Sequence, residues 1–343
     1  MGERIPPRRP KPSLLYGSSD PLQIDRMRFA GSWYPEEAGA ISEIFAASGG
    51  NGRPALAVVP HAGLRYSARG QRALWSTVEA GYRDRLDGVV VIAPSHYAYL
   101  PPDIAVGGTF DAHETPVGLL PDLTAPHLAD SVTENDAVPS RPPNVDGRGL
   151  GDRDEPWIVE REHAVELLLP GLRRVLGDVP VAALVVGRIG SAAAARSMAH
   201  RVLARLDETG RDGVRPERVL WLVSSDGTHY GRRFSWQPFG DRRWNEVDSA
   251  VRDNDIRLIT PALSLDLDRY WEGLATEKST VCGRYALGLG AAIVERLVAD
   301  GALEIDDFRL LDYYSSADDE FSDGNDTEFV CYPTAVLNRS IPA

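Results

Sequence analysis

The chain reads as an α/β protein built on a buried sheet, and three observations predict it. Short Val/Ile/Leu/Ala runs, Pro54–Val59, Gly88–Ala93 and Leu220–Ser224, are bounded by Pro, Gly or Asp, the mark of strands covered on both faces. Longer amphipathic segments separate them, so strand, helix, strand forms a parallel crossover unit. Each of the three runs is followed by polar groups in a short turn: Pro60-His61-Ala62-Gly63, Pro94-Ser95-His96, and Ser225-Asp226-Gly227-Thr228-His229. Ligands of open α/β sheets bind just beyond the carboxyl ends of the strands. His61, His96, Asp226 and His229 are therefore expected at one sheet edge.

Taken in order, Met1–Pro12 is basic and proline-rich, and residues 1–27 read as a disordered tail before a single domain over 28–343. A helix is expected over Glu36–Ala47, then the first strand with His61, a helix near Gly70–Gly81, and the second strand with His96. Asp130–Pro156 is rich in Pro, Asp, Gly and Arg without periodicity. Such a long segment inside a domain reads as a lid, binding loop or insertion. Helical patterning resumes at Glu162–Leu176, followed by a strand at Val181–Val186 and a helix over Ser191–Asp207. Arg242–Ile259 reads as a helix. Ala286–Ala299, with small residues on one face and Val/Leu on another, reads as a packed helix. Phe308–Ser315 and Glu328–Leu337 are expected closing strands, with the acidic stretch Asp318–Asp326 an exposed loop between them.

The composition excludes several classes of partner. With 343 residues and a net charge of -13, the chain lacks the clustered basic surface that nucleic acid or an anionic membrane requires. No apolar run approaches the roughly 18 residues of a membrane span, and the N-terminus lacks the apolar core of a signal peptide. Only two cysteines, Cys282 and Cys331, argue against a disulfide framework and for a reducing cytoplasm.

Two histidines at equivalent strand ends can share one ion, since imidazole ligates Fe, Zn and Cu. Taken singly, each could be a turn histidine bonded to backbone. Cys282 precedes a helix and lies near Lys278 and Arg284, surroundings that favour the metal-binding thiolate. The competing reading is a small buried hydrophobe, which is the expectation for Cys331. Asp226 can be a further ligand and His229 a general acid/base, or the two can form an Asx-turn with a loop histidine. Glu162 and Glu166 lie four apart at a helix start with His163 beside Glu162. Metal binding, a proton relay, or plain helix capping are all open to them. His113, His127 and His200 receive no role.

In their order, these pieces resemble the MEMO family, including its bacterial AmmeMemoRadiSam system protein B type. The matching elements are Ala30-Gly31-Ser32-Trp33-Tyr34-Pro35, Pro60-His61-Ala62-Gly63 with Tyr66-Ser67, Pro94-Ser95-His96 and Thr115-Pro116-Val117-Gly118. Glu162-His163-Ala164-Val165-Glu166, Ser224-Ser225-Asp226 with His229, and Cys282-Gly283-Arg284 complete them. The resemblance spans residues 28 to 337. It implies the fold of the class III extradiol dioxygenases, a three-layer α/β/α domain around a mixed, mostly parallel sheet. It also implies a pocket with His61, His96 and Cys282 on the metal, Asp226 and His229 beside it, and His229 as acid/base. Glu162, His163, Tyr66 and Arg284 are then the expected substrate contacts. The chain departs from the family at Leu168, where His or Gln is frequent, in the long 130–156 segment, and in its extended tail.

The expected protein is a mononuclear non-haem oxidoreductase using Fe(II), O2 and a catechol-like or chelating metabolite, or a modified peptide. A His2Cys set also suits a zinc or copper enzyme of hydrolase type. A third possibility is a non-enzymatic metal- or peptide-binding protein, as proposed for eukaryotic relatives of the family.

Overall fold

A computed structural model describes residues 22–46, 49–78, 82–108, 110–123, 156–207, 214–276, 278–318, 320–321 and 326–340. The central sheet carries strands β2 (Pro54–Val59), β3 (Gly88–Pro94), β4 (Ala105–Gly107), β7 (Val181–Val186), β8 (Val219–Ser224), β10 (Ile305–Ser315) and β11 (Phe329–Arg339). Their spatial order is β10-β11-β2-β8-β3-β7-β4, and β9 (His229–Tyr230) pairs with β11. The four inner strands β2, β8, β3 and β7 run parallel. β4, β10 and β11 are antiparallel to their neighbours. A small second sheet joins β1 (Ile24–Asp25), β5 (Ala112–His113) and β6 (Leu120–Pro121).

The apolar runs are buried on both faces because the sheet is covered on both. One core gathers Leu56, Val58, Val90, Ile92, Leu184 and Val223 with helices α6 (Ala192–Asp207), α7 (Trp244–Leu263), α8 (Leu267–Thr276) and α9 (Arg284–Ala299). The alternate residues Ala57, Val59, Val89, Val91, Val185 and Leu222 pack with α1 (Ala38–Ile44), α2 (Leu64–Thr77) and the helices over 163–176. Alternation along each strand sends successive side chains to opposite layers, and the result is the three-layer α/β/α architecture.

Several boundaries differ from expectation. α2 begins at Leu64, not near Gly70. Its buried stripe, Leu64, Ser67, Ala68, Gln71, Leu74 and Trp75, starts as soon as the chain clears Gly63. The expected helix over 162–176 is two, α4 (His163–Glu166) and α5 (Leu169–Leu176), after a short α3 (Pro156–Glu160). Pro170 sits in the first turn of α5, where its missing N–H costs nothing, and it cannot supply the bond to the Glu166 carbonyl that one continuous helix would need. The sequence patterning did not show α8 at all. Ile24–Asp25, assigned to the tail, pairs with Ala112–His113. The rest of the tail, 1–21, and nearly all of the 130–156 segment lie outside the described residues, as does His127. No helix of the described residues is long and apolar enough to cross a membrane.

β2 and β3 are parallel but not adjacent, because β8 is inserted between them. The carboxyl ends of β2, β8 and β3 are therefore neighbours. Each releases a polar residue two positions beyond its end: His61 after Val59, Asp226 after Ser224, His96 after Pro94.

Candidate metal centre

The two histidines meet at that edge, with ring centroids 5.1 Å apart and planes at 80°. Cys282 comes from the other layer. Helix α9 lies across the strands, with Gly290 against Val223, Leu56 and Ile92, so its N-terminal turn reaches the strand ends. Gly283 makes this approach possible: a Cβ there would lie 2.4 Å from Ser225 Cβ and 2.6 Å from the Ser224 carbonyl oxygen. One ligand atom each from His61, His96 and Cys282 lies within 4.8 Å of the others. The Cys282 Sγ to His61 Nε2 distance is 3.3 Å. Two ligands at roughly 2.0–2.3 Å from one ion stand roughly 3–3.8 Å apart, so the donor set fits a single metal.

Hydrogen bonds fix which ring nitrogen faces inward. The Ser224 hydroxyl donates to the Ala164 carbonyl at 2.5 Å, so its oxygen accepts from His61 Nδ1–H at 2.8 Å. The lone pair of His61 is then on Nε2, beside the thiol. Glu162 performs the same task for His96. Its Oε1 accepts from Nδ1 at 2.7 Å and its Oε2 from the His96 backbone N–H at 2.7 Å. A carboxylate behind a histidine is the usual support of a metal ligand. Glu162 also accepts from Ala164 N–H at 3.2 Å as the N-cap of α4. The capping and pocket roles are thus held by one side chain. Burial, with His96 and His229 alongside, pushes the His61 pKa well down and keeps the ring neutral.

Cys282 corrects one expectation. Lys278 Nζ donates to the Ser235 carbonyl and Arg284 Nη1 to the Val281 carbonyl, so neither cation serves the sulfur. Burial, reinforced by Asp226, pushes the thiol pKa up. The neighbouring side chains therefore do not favour a thiolate, and only a bound cation would. Cys331, fully buried in β11, is a core residue as expected. Cobalt-substituted protein should show a sulfur-to-metal charge-transfer band that Cys282→Ala loses and Cys331→Ala keeps; an unchanged band in Cys282→Ala would remove the cysteine from the ligand set.

Asp226 Oδ1 accepts the backbone N–H groups of His61 at 2.8 Å and Ala62 at 3.3 Å. Its Oδ2 stands 4.0 Å from His61 Nε2. The carboxylate thus fixes the turn that carries His61, and it lies outside the three-residue cluster. Burial raises its pKa, opposed by His229. His229 Nδ1 donates to the Gly227 carbonyl at 3.1 Å, which leaves Nε2 as its proton-accepting atom. Burial lowers its pKa, against the pull of Asp226.

His163 packs on the same cluster, its ring 4.4 Å from His96, 5.4 Å from His61 and 4.8 Å from Trp33. Burial and the two histidines push its pKa down to about 2. Its Nδ1 is 3.3 Å from Glu162 Oε1 but not aligned for a hydrogen bond. Glu166 faces elsewhere than Glu162. It accepts from the backbone of Arg28 and Phe29 and from Tyr34 OH at 2.7 Å, clamping the 28–34 segment beside the pocket. A one-turn α4 cannot keep the two carboxylates on a common face. Tyr66 lines a cavity of about 190 Å³ with Phe234, Phe321 and Tyr332, and Phe234 lies 5.1 Å from the His229 ring. The Arg284 guanidinium lies over its neighbour Tyr285 and donates to the Val281 carbonyl. Leu168 is buried in the core against the sheet.

Two supporting groups were not anticipated. Asp255, on the apolar stripe Val247, Val251, Leu258 of α7, accepts from Thr228 N–H and Oγ1 and from Tyr313 OH, and so braces the Asp226–His229 turn. An acidic residue interrupting a regular apolar stripe was the signal for it. His113, given no role above, is buried between Asp25 Oδ2 at 3.0 Å and Asp122 Oδ2 at 2.9 Å. Burial pulls its pKa down, but the two hydrogen-bonded carboxylates outweigh this and raise it from 6.5 to about 9. The native state then holds a proton the unfolded chain has lost, so the contribution is complete below pH 6.5 and lost as pH rises through 9. It is on the order of 3 kcal/mol. Melting temperature should fall from pH 7 to pH 10 in the wild type and change less in His113→Gln; parallel curves would refute the assignment.

Fold and site together define an α/β/α protein carrying a His–His–Cys cluster able to hold a metal ion at the carboxyl edge of its sheet. The sequence pattern of the Memo-like protein family matches residues 26–336, and the chain belongs to that family. A MEMO1 family protein of Pyrococcus furiosus is 27% identical over 327 residues, covering 92% of this chain and 100% of that protein. One from Thermococcus kodakarensis is 28% identical over 322 residues, with 90% and 98% covered. The protein memo-1 homolog of Caenorhabditis elegans is 24% identical over 265 residues, with 74% and 67% covered.

Proposed function

We propose that the chain is a mononuclear non-haem oxidoreductase using Fe(II) and O2. Its substrate is a catechol-like or other chelating small metabolite, or a modified peptide, met in a reducing cytoplasm. The observation that carries this reading is the convergence of two imidazole lone pairs and one thiol on a single point. His61 Nε2, His96 Nε2 and Cys282 Sγ would hold the ion. When bound, such an ion supplies electron transfer toward O2 and a chelating substrate, because three protein ligands leave positions open.

The remaining residues prepare the site for proton movement. Ser224 and Glu162 orient the two rings before any ligand arrives, so little reorganisation is needed on binding. His229, neutral in its buried setting, takes a proton from a substrate hydroxyl at Nε2 and returns it later, while Asp226 stabilises the charged ring. His163, Trp33 and Tyr97 close one side with aromatic surface. Phe234, beside His229, belongs to the wall of the Tyr66 cavity.

Protein loaded anaerobically with Fe(II) should bind about one iron per chain and take up O2 only with a chelating catechol present. Absence of uptake across a panel of such chelators in iron-replete protein would reject the oxygenase reading. A second reading, a zinc or copper enzyme of hydrolase type, is favoured by the thiol itself, since soft sulfur ligands suit Zn2+ and Cu+. Preferential retention of zinc through anaerobic purification, with ester or amide hydrolysis, is the result that would support it.

A further inference from the structure

A cavity of about 520 Å³ lies between the Gly31–Pro35 turn and helix α2, with Trp33 in its wall and His163 not among its lining residues. Its wall carries three arginines of α2, Arg65, Arg69 and Arg72, spaced to share a face. Arg69 is neutralised, bonding Asp312 at 2.9 Å and Glu320 at 2.7 Å. Arg65 and Arg72 are exposed, and among the described residues no carboxylate pairs with either. This is unusual company for a chain with 50 acidic residues against 37 Lys and Arg. Glu320, the acidic group of the wall, is already spent on Arg69.

Trp33 makes the second half of the site. It is 38% exposed, and its exposure is imposed by the backbone around it. Gly31 has φ +74 and donates to the Tyr34 carbonyl, closing a tight turn. Leu64 N–H donates to the Trp33 carbonyl at 2.8 Å, which pins the turn to the start of α2. Glu166 holds both flanks through Phe29 N–H and Tyr34 OH. A large indole is thus left partly exposed by a fixed turn, beside two guanidinium groups that have no carboxylate partner among the described residues, Arg65 lying over the Tyr66 ring at 5.4 Å.

We propose that this cavity binds a small organic anion, its flat apolar body against Trp33 and its carboxylate or phosphate group on Arg65 and Arg72. The volume suits a small molecule, and guanidinium groups recognise planar oxyanions through paired hydrogen bonds. The site does not depend on a metal at His61.

Calorimetric titration of the full chain with 2-naphthoate and its neutral isostere 2-naphthamide tests this. At low ionic strength the carboxylate should bind about tenfold or more tightly than the amide, the scale of charged hydrogen bonds. The double variant Arg65→Met/Arg72→Met should keep its melting temperature and lose that preference, and Trp33→Ala should weaken both probes. His61→Ala should bind naphthoate as the wild type does. Equal affinities, binding of neither probe at millimolar concentration, or a preference that survives in the double variant would overturn the proposal. Loss of naphthoate binding in His61→Ala would move the ligand to the metal cluster and overturn it equally, whatever the outcome of the O2 experiments.

Discussion

His61→Ala and His96→Ala proteins should fold and bind no stoichiometric metal. Each ring offers an Nε2 lone pair whose direction is set from behind, by Ser224 for His61 and by Glu162 for His96. Removing either ring breaks the His61–His96–Cys282 set; a second group, His96 with Glu162 and His163, also brings donor atoms within 4.8 Å of one another, but Glu162 is engaged there in supporting His96. The effect on affinity is therefore of a different order from that of a supporting group. Glu162→Gln, which keeps the shape but weakens the bond to His96, should reduce affinity about 10–100-fold without abolishing it. Folding should survive in the histidine variants because the apolar strand cores that precede them, Ala55–Val59 and Val89–Ala93, are fully buried between the two helical layers. Elemental analysis with circular dichroism on each variant decides the matter. Full occupancy in a folded His61→Ala protein would dismiss the site.

His229→Ala should retain its metal and lose about 10²–10⁴-fold of turnover, the range of a positioned acid/base. The ring is anchored by its backbone N–H on Thr280 and by Nδ1 on Gly227, so Nε2 alone is left for chemistry. It also lies outside the cluster of His61, His96 and Cys282. Asp226→Ala should behave differently and lose metal affinity as well as rate. Its Oδ1 holds the backbone at His61 and Ala62, so the turn that aims the ligand loosens when it is removed. Metal content and steady-state rates on both variants, once a turnover assay is in hand, separate the two roles. A metal-free His229→Ala protein, or one turning over at the wild-type rate, would contradict the assignment.

The parallel strands and the polar groups at their ends are written locally in the chain. A buried strand is a local pattern, and a residue two positions past it must emerge at the sheet edge whatever surrounds it. That is why His61, His96 and Asp226 were legible as a set, and why Gly283, needed where α9 meets Ser225, stands next to the cysteine. The remaining features depend on long-range packing. The insertion of β8 between β2 and β3 is a choice among pairings far apart in the chain, and it alone brings the three strand ends together. The tautomers of His61 and His96 depend on Ser224 and Glu162, which lie 163 and 66 positions along the chain from the rings they orient. The state of the thiol does not follow from its sequence neighbours, because Lys278 and Arg284 turn to carbonyl oxygens while burial, reinforced by the Asp226 charge, governs Cys282. His113 was passed over for the same reason. Its partners Asp25 and Asp122 lie on separate strands of the small sheet or just beyond them, and burial turns three ordinary polar residues into a strongly coupled group. Local patterning decides where a side chain leaves the backbone; the charge it carries there depends on what the rest of the fold packs around it.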